Sequence, residues 1–229
     1  MTSMQKQAKK YFIFGICFLL LFIGLTAALG FVDVQAIGPD GSTVGFATLN
    51  KAVFDFFGGE NLIFHTMTDL LGIAAILAAF GFACLGAYQL IKRKKFKLVD
   101  GDLYILGAFY IAVISAYLLF EFFIVNRRPI LIDGHLEASY PSSHTMVVVS
   151  VMITAMLQFR TRIKKRALRL TAEAIALFIT AFTIVGRLIS GAHWFTDITG
   201  GLILSASLIG FYLAGMSLLK GNTETKKQA

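Results

Sequence analysis

The sequence predicts an all-α fold, a polytopic membrane helical bundle of six transmembrane helices with a short extracytoplasmic interfacial helix. Composition is the first observation behind this prediction, because 57% of the 229 residues are hydrophobic and only 15% are charged. A soluble domain has about 25% charged residues. Length is the second observation, since the apolar residues fall into stretches of the roughly 20 residues that a spanning helix needs.

Six such stretches follow one another along the chain, and they predict a single integral membrane domain over residues 1–229. They lie at about 11–31, 67–91, 103–125, 143–160, 168–189 and 195–219. The first stretch is too long for a typical signal-peptide core, so we expect it to be retained as a span.

The segment between the first two spans has a different pattern. A Gly-Pro-Asp-Gly turn signal at residues 38–41 precedes residues 49–57, where phenylalanines accompany Lys51 and Asp55. This mixture predicts a short amphipathic helix that lies in the membrane interface. An ordinary ordered loop is the alternative.

The distribution of basic residues predicts the orientation of the bundle. Of the 21 lysines and arginines, 17 lie in the two termini and in the loops after spans two and four, which share one side if the spans alternate. The positive-inside rule makes this side cytoplasmic, with both termini on it. The exceptions are Lys51, Arg127, Arg128 and Arg187. This pattern accounts for the formal charge of +8 without a nucleic-acid partner.

Two histidines near these extracytoplasmic arginines could carry chemistry. His193 and Asp197 are four residues apart, so on a helix they share one face. A carboxylate that accepts from one imidazole nitrogen leaves the other free to attack phosphorus. A structural His–Asp pair is the alternative. The chain has no H-E-x-x-H motif and no cysteine or carboxylate cluster that completes a zinc site, so we expect no metal.

The second histidine, His144, directly follows Pro141-Ser142-Ser143 at the start of the fourth span. Serine at this position would cap the helix, and a helix N-terminus also attracts phosphate. His144 could then protonate a leaving oxygen. Arg128 and Arg187 would supply planar guanidinium groups for the phosphate oxygens. Interfacial snorkelling is an equal alternative for Arg127.

In order, these residues resemble the three motif blocks of the type-2 phosphatidic acid phosphatase family, the lipid phosphate phosphatases. The family pattern is Lys, six residues, Arg-Pro; then Pro-Ser-Gly-His; then Ser-Arg, five residues, His, three residues, Asp. The resemblance implies a helical, metal-independent enzyme that needs no cofactor. It implies these roles: His193 as nucleophile, Asp197 as its orienting partner, His144 as general acid, and Arg128, Ser142 and Arg187 as phosphate ligands.

Three residues depart from the family pattern. Glu121 stands where the lysine is expected, and it could pair with Arg127 or Arg128 or meet a cationic or hydroxyl-bearing group of the substrate. Ser143 replaces the glycine, which adds a hydroxyl that could bind phosphate but restricts backbone φ. Gly186 replaces the serine and removes a donor. Between the first two blocks, Tyr140 could line the entrance.

The predicted function is hydrolysis of a lipid phosphate or diphosphate at the extracytoplasmic surface of the cell membrane, through a phosphohistidine. Candidate substrates are undecaprenyl diphosphate, phosphatidylglycerophosphate and phosphatidic acid, and the other expected partners are membrane lipids. A lipid-linked phosphotransferase with the same site is one alternative. A non-catalytic lipid-binding or transport protein is another, against which the full set of motif residues argues. No sequence feature indicates an oligomeric state.

Overall fold

Seven α-helices make up most of the chain. A computed structural model describes the backbone of residues 3–228 and the side chains of residues 3–221. Lys226 and Lys227, counted above in the basic tail, have side chains outside this range. The helices are α1 (Ser3–Ala28), α2 (Ala47–Phe56), α3 (Leu62–Arg93), α4 (Gly101–Phe122), α5 (Ser143–Arg162), α6 (Arg166–Ile189) and α7 (Phe195–Gln228).

Five of the helices in the described part of the chain are long and apolar enough to cross a membrane, namely α1, α3, α4, α6 and α7. The chain is therefore a multi-pass membrane protein built as a helical bundle. The fourth predicted span corresponds to α5, which is less apolar and is not among these five. Each predicted span, including the fourth, falls within one helix to within a few residues at its ends.

The lower apolar content of α5 follows from its place in the bundle. It packs against α3, α4, α6 and α7. Its polar residues Ser150, Thr154 and Gln158 are buried. The Thr154 hydroxyl donates to the Ser150 carbonyl at 2.8 Å, and the Gln158 amide donates to the Tyr212 hydroxyl at 3.0 Å. A helix enclosed by others can carry hydrogen-bonded polar groups that a lipid-facing helix cannot.

Helix α2 occupies the region of the predicted amphipathic helix and packs on the start of α7. The Asn50 side chain is buried, donates to the Thr196 hydroxyl at 2.9 Å and accepts from the Thr196 backbone at 3.1 Å. The rings of Phe54 and Trp194 lie 5.8 Å apart. Phe56 is 81% exposed on the other face. These contacts tie α2 to the loop that precedes α7.

The motif residues meet at one end of the bundle. Helices α1, α4 and α6 end here, and α3, α5 and α7 begin here. The contacts that join these ends include Thr26 to Tyr140, whose hydroxyls lie 2.9 Å apart, and the Asn61 backbone N–H, which donates to the Ser190 carbonyl at 3.0 Å. The alternating directions of the helices thus collect residues from distant parts of the sequence.

Candidate active site

His193 lies buried in the loop between α6 and α7, with only 4% of its surface exposed. Its Nδ1 is 3.1 Å from the carbonyl oxygen of Ser139, which can only accept a hydrogen bond. Its Nε2 is 3.3 Å from Nη1 of Arg128, which can only donate. Both contacts favour the same tautomer, with the proton on Nδ1 and the lone pair on Nε2.

The surroundings of His193 also favour the neutral ring. Burial lowers the pKa of His193 well below its usual value, and the nearby positive charges of Arg128 and Arg187 lower it further. The imidazole therefore stays unprotonated near neutral pH, which is the state in which Nε2 can act as a nucleophile.

Asp197, in the first turn of α7, reaches His193 only indirectly. Its Oδ2 lies 3.8 Å from Nδ1 of His193, which is too far for a hydrogen bond. The Ser139 hydroxyl bridges the two side chains, because it donates to Oδ2 of Asp197 and lies 3.2 Å from Nδ1. The Trp194 backbone N–H also donates to Oδ2, at 2.8 Å. The sequence suggested a direct His–Asp bond and missed Ser139, which no motif marked.

Arg128 follows α4 and is almost covered, with 11% of its side chain exposed. Its Nη1 also donates to the carbonyl of Ala192 at 3.2 Å. Its Nε forms an ion pair with Oε2 of Glu137 at 3.1 Å, at an angle outside hydrogen-bond geometry. Glu137, and not Glu121, is therefore the carboxylate that pairs with Arg128.

Arg187 and His144 share a carboxylate that the sequence reasoning missed. Arg187 is fully buried in α6, and its Nη2 donates to Oδ1 of Asp69 in α3. Nε2 of His144 lies 3.1 Å from the same oxygen. Nε and Nη1 of Arg187 have no hydrogen-bond partner among the described residues. The available signal was a lone carboxylate in an apolar span, which usually marks a functional position.

The two serines before His144 have different surroundings. Ser142 is buried and caps α5, since its Oγ accepts from the Thr145 backbone N–H at 3.4 Å and from the Thr145 hydroxyl at 3.0 Å. Ser143 is the first residue of α5 and lines a cavity. It is not among the residues with positive φ. The backbone at Ser143 therefore does not require the glycine of the family pattern.

A cavity of about 230 Å³ opens beside these residues. Its lining includes both histidines and Arg128, together with Glu121, Tyr140 and Ser143. Arg187 is not part of this lining, but it shares Asp69 with the lining residue His144. Arg127 turns away, because its Nη1 donates to the Leu136 carbonyl at 2.9 Å. The cavity thus brings together a nucleophilic nitrogen, a guanidinium group, a second imidazole and a helix N-terminus, which together can bind and attack a phosphate.

The described residues contain no group of three or more His, Cys, Asp or Glu side chains that could hold a metal ion.

The fold and the site together define a polytopic helical membrane protein with arginine and histidine side chains around a cavity at one end of its bundle. Residues 122–219 match the family model described as the PAP2 superfamily. This match confirms the resemblance drawn from the motif blocks, over residues 122–219. Glu121 precedes the matched region by one residue, so its replacement of the family lysine stays a prediction.

A solved structure with a similar fold is that of a transmembrane PAP2-type phosphatidylglycerolphosphate phosphatase from Bacillus subtilis. It is 20% identical in sequence, and the match covers 93% of this chain and 96% of that one with a TM-score of 0.58. At this identity the likeness shows the fold. No curated protein sequence matches the chain.

Proposed function

We propose that the protein is a membrane phosphatase that hydrolyses the phosphate monoester or diphosphate of a lipid. The observation that carries this proposal is the position of Nε2 of His193, which is buried, unprotonated and 3.3 Å from a guanidinium nitrogen of Arg128 at the edge of a cavity. Undecaprenyl diphosphate, phosphatidylglycerophosphate and phosphatidic acid are the candidate substrates, and phosphatidylglycerolphosphate is the substrate named for the Bacillus subtilis structure.

The proposed mechanism assigns one step to each histidine. Nε2 of His193 attacks phosphorus and forms a phosphohistidine, which water then hydrolyses. His144 protonates the leaving oxygen. Arg128 and Arg187 stabilise the charge on the phosphate oxygens, with support from the first turn of α5, where Ser142 and Ser143 lie. Asp197 orients the nucleophile through Ser139. No metal ion takes part in these steps.

We also propose that the chain forms one domain with six membrane spans. In addition to the five apolar helices, α5 crosses the membrane, enclosed by its neighbours. Both termini then lie in the cytoplasm, and the cavity opens on the extracytoplasmic face, where α2 lies in the interface. The distribution of 17 of the 21 basic residues toward the opposite end supports this orientation.

The replacement of His193 by alanine tests the proposed function. With purified protein in detergent and EDTA, the wild type is expected to release inorganic phosphate from at least one lipid phosphate. His193→Ala is expected to lower the rate by about 1,000-fold or more, because the covalent step is lost. His135→Ala, at an exposed loop histidine, is the control and should keep full activity. Activity that survives His193→Ala, or that EDTA removes from the wild type, would contradict the proposal.

Glu121 favours a second candidate, a phosphotransferase that uses a hydroxyl group as acceptor in place of water. Its carboxylate is exposed and lines the cavity, and no ion pair to it occurs within residues 3–221. A carboxylate there could accept a hydrogen bond from an acceptor hydroxyl. A phosphorylated acceptor that forms without free phosphate would favour transfer over hydrolysis.

The charge of Glu121 should also affect the choice of substrate. We expect Glu121→Lys to raise the rate on phosphatidylglycerophosphate relative to that on phosphatidic acid by about 10-fold, because the former carries an additional phosphodiester charge and reversal of a nearby charge changes binding by roughly 1–2 kcal/mol. A phosphate-release panel on both lipids measures this ratio. Glu60→Lys, an exposed site at the same end but outside the cavity, should leave it unchanged. An unchanged ratio in Glu121→Lys would contradict a role in substrate choice.

A further inference from the structure

We infer that Asp69 of α3 is a positioning residue for His144, and that the two form a carboxylate–imidazole pair whose free nitrogen, Nδ1, passes the proton to the leaving group. The motif blocks do not include Asp69, and this inference rests on the proposed phosphatase function. Three features of the described structure support it, namely the hydrogen-bonding pattern of His144, the space beside its ring and the charges around Asp69.

The hydrogen bonds of His144 distinguish its two ring nitrogens. Nε2 lies 3.1 Å from Oδ1 of Asp69, and a carboxylate oxygen can only accept. Nε2 therefore carries a proton. Nδ1 is buried and has no hydrogen-bond partner among the side chains that the structure describes. His144 lines the cavity and its Nε2 contacts Asp69, so by elimination we infer that Nδ1 is the nitrogen that meets the substrate. A carboxylate on the far nitrogen orients the ring and stabilises its charged form.

The helix that carries Asp69 also leaves room for the ring. A Cβ atom at Gly72 would lie 2.9 Å from Cδ2 of His144, a distance that real Cβ atoms essentially never show. Asp69 and Gly72 are three residues apart in α3, so they present the same helix face. The glycine lets the His144 ring approach α3 closely, and the aspartate one turn away bonds to it.

Other charged and titratable groups also face this pair. Nη2 of Arg187 donates to Asp69 from α6, and Nδ1 of His65 lies 3.8 Å from Oδ2 of Asp69 within α3. Arg128 and His193 line the same cavity as His144. Asp69 thus contacts both His144, the proposed general acid, and Arg187. A test must therefore separate the effect of Asp69 on His144 from its effect on Arg187. The leaving group of the substrate allows this separation.

The proton transfers proceed as follows. In the substrate complex, where the anionic phosphate favours a positive charge nearby, His144 carries a proton on each nitrogen. As Nε2 of His193 bonds to phosphorus, the bond from phosphorus to the leaving oxygen breaks, its electron pair stays on oxygen, and that oxygen takes the Nδ1 proton. The other proton of His144 stays on Nε2 throughout and keeps its contact with the Asp69 carboxylate. Water then bonds to phosphorus and gives a proton to Nδ1, while the P–N bond breaks and its electron pair returns to His193.

The test compares two substrates in wild type and Asp69→Asn. A lipid phosphate releases an alkoxide, which needs the acid, whereas p-nitrophenyl phosphate releases a stable phenolate, which does not. We expect Asp69→Asn to lower kcat on the lipid phosphate by about 10- to 100-fold, part of what a general acid contributes. The loss on p-nitrophenyl phosphate should stay below about 3-fold, because Arg187 keeps its charge and the bound phosphate becomes its partner.

A double-mutant cycle links the effect to His144. In the His144→Ala background, Asp69→Asn should change the rate on the lipid phosphate by less than about 2-fold, because the group that it positions is gone. The surface variant Asp55→Asn is the control and should match wild type on both substrates. If Asp69→Asn does not purify as folded protein, Asp69→Ser, with a smaller neutral side chain, takes the same test.

Each outcome is decisive. Equal losses on the two substrates, no loss on either, or losses that add to those of His144→Ala would overturn the role of Asp69 while the phosphatase function stands. Wild-type protein that releases phosphate from neither substrate would overturn the proposed function and this inference with it.

Discussion

The reactivity proposed for His193 depends on which ring nitrogen carries the proton and on whether the ring is charged. The position of the proton follows from two contacts. The Ser139 carbonyl lies 3.1 Å from Nδ1, and the Arg128 guanidinium lies 3.3 Å from Nε2. The ring is uncharged because burial and the positive charge of Arg128 both lower the pKa of His193. A neutral, oriented imidazole is thus already present before substrate binds.

The lowered pKa of His193 predicts how stability depends on pH. Below the unfolded pKa of about 6.5, the unfolded chain binds a proton that the folded His193 does not, so folding weakens as pH falls. His193→Asn removes this penalty. Relative to wild type it should therefore gain about 1–2 kcal/mol between pH 7.5 and pH 5, at about 1.4 kcal/mol per pH unit below 6.5.

Thermal unfolding in detergent at the two pH values measures this gain. His135→Asn, at an exposed loop histidine, is the control and should show no such gain. A difference between His193→Asn and wild type that is the same at pH 7.5 and pH 5 would contradict the prediction.

The close approach of α3 and α6 explains one departure from the family pattern. A Cβ atom at Gly186 would lie 2.6 Å from Cγ2 of Thr68. The Thr68 hydroxyl bonds to the carbonyls of Phe64 and His65, at 2.8 and 2.9 Å, which holds its methyl group toward α6. The family serine does not fit before Arg187 while threonine occupies position 68.

We expect Gly186→Ser to destabilise the protein by about 1–3 kcal/mol, the usual cost of overpacking a close contact. Thr68→Ser removes the clashing methyl group and keeps the hydroxyl, so the double variant should regain most of the loss. Thermal unfolding of the two single variants and the double variant measures both effects. Gly86→Ser is the control, because a Cβ there meets nothing within 4 Å. Independent, additive effects at positions 68 and 186 would contradict this account.

On the scale of the whole molecule, charge and burial divide the bundle into two ends. The basic loops after α3 and α5 lie at one end, and the cavity with its two histidines lies at the other. The polar helix α5 runs between them, enclosed by four neighbours. A membrane around the outer helices would therefore contact mainly apolar side chains such as Leu77, Phe80 and Phe178, which are more than half exposed.

Labelling of single cysteines on intact cells tests the proposed orientation. The two free cysteines, Cys17 and Cys84, are first replaced. A single cysteine is then introduced either as His135→Cys, in the loop before α5, or as Lys95→Cys, in the loop after α3. A membrane-impermeant maleimide should modify the first directly and the second only after permeabilisation. The reverse pattern would place the cavity on the cytoplasmic side and contradict the proposal.

Local patterns in the sequence were enough to predict the helices and the order of the motif blocks. Apolar stretches of membrane length predicted all the long helices, because hydrophobicity is a property of each segment by itself. The sequence did not indicate Glu137, which pairs with Arg128 across a turn, and the role of Glu121 stays a prediction. Helix period and spacing carry no information about which loop folds back on a side chain.

By itself, the sequence determined that this chain is an all-helical membrane protein and which histidines and arginines lie in residues 122–219, the part that matches the PAP2 family model. Only the tertiary structure decided what surrounds them, since Ser139 lies 54 residues from His193 and Asp69 lies 118 residues from Arg187 along the chain. Each of these contacts depends on how neighbouring helices pack and how deeply their ends are buried. Packing between distant segments, which no local pattern encodes, therefore sets the tautomer of the proposed nucleophile and the partner of the proposed acid.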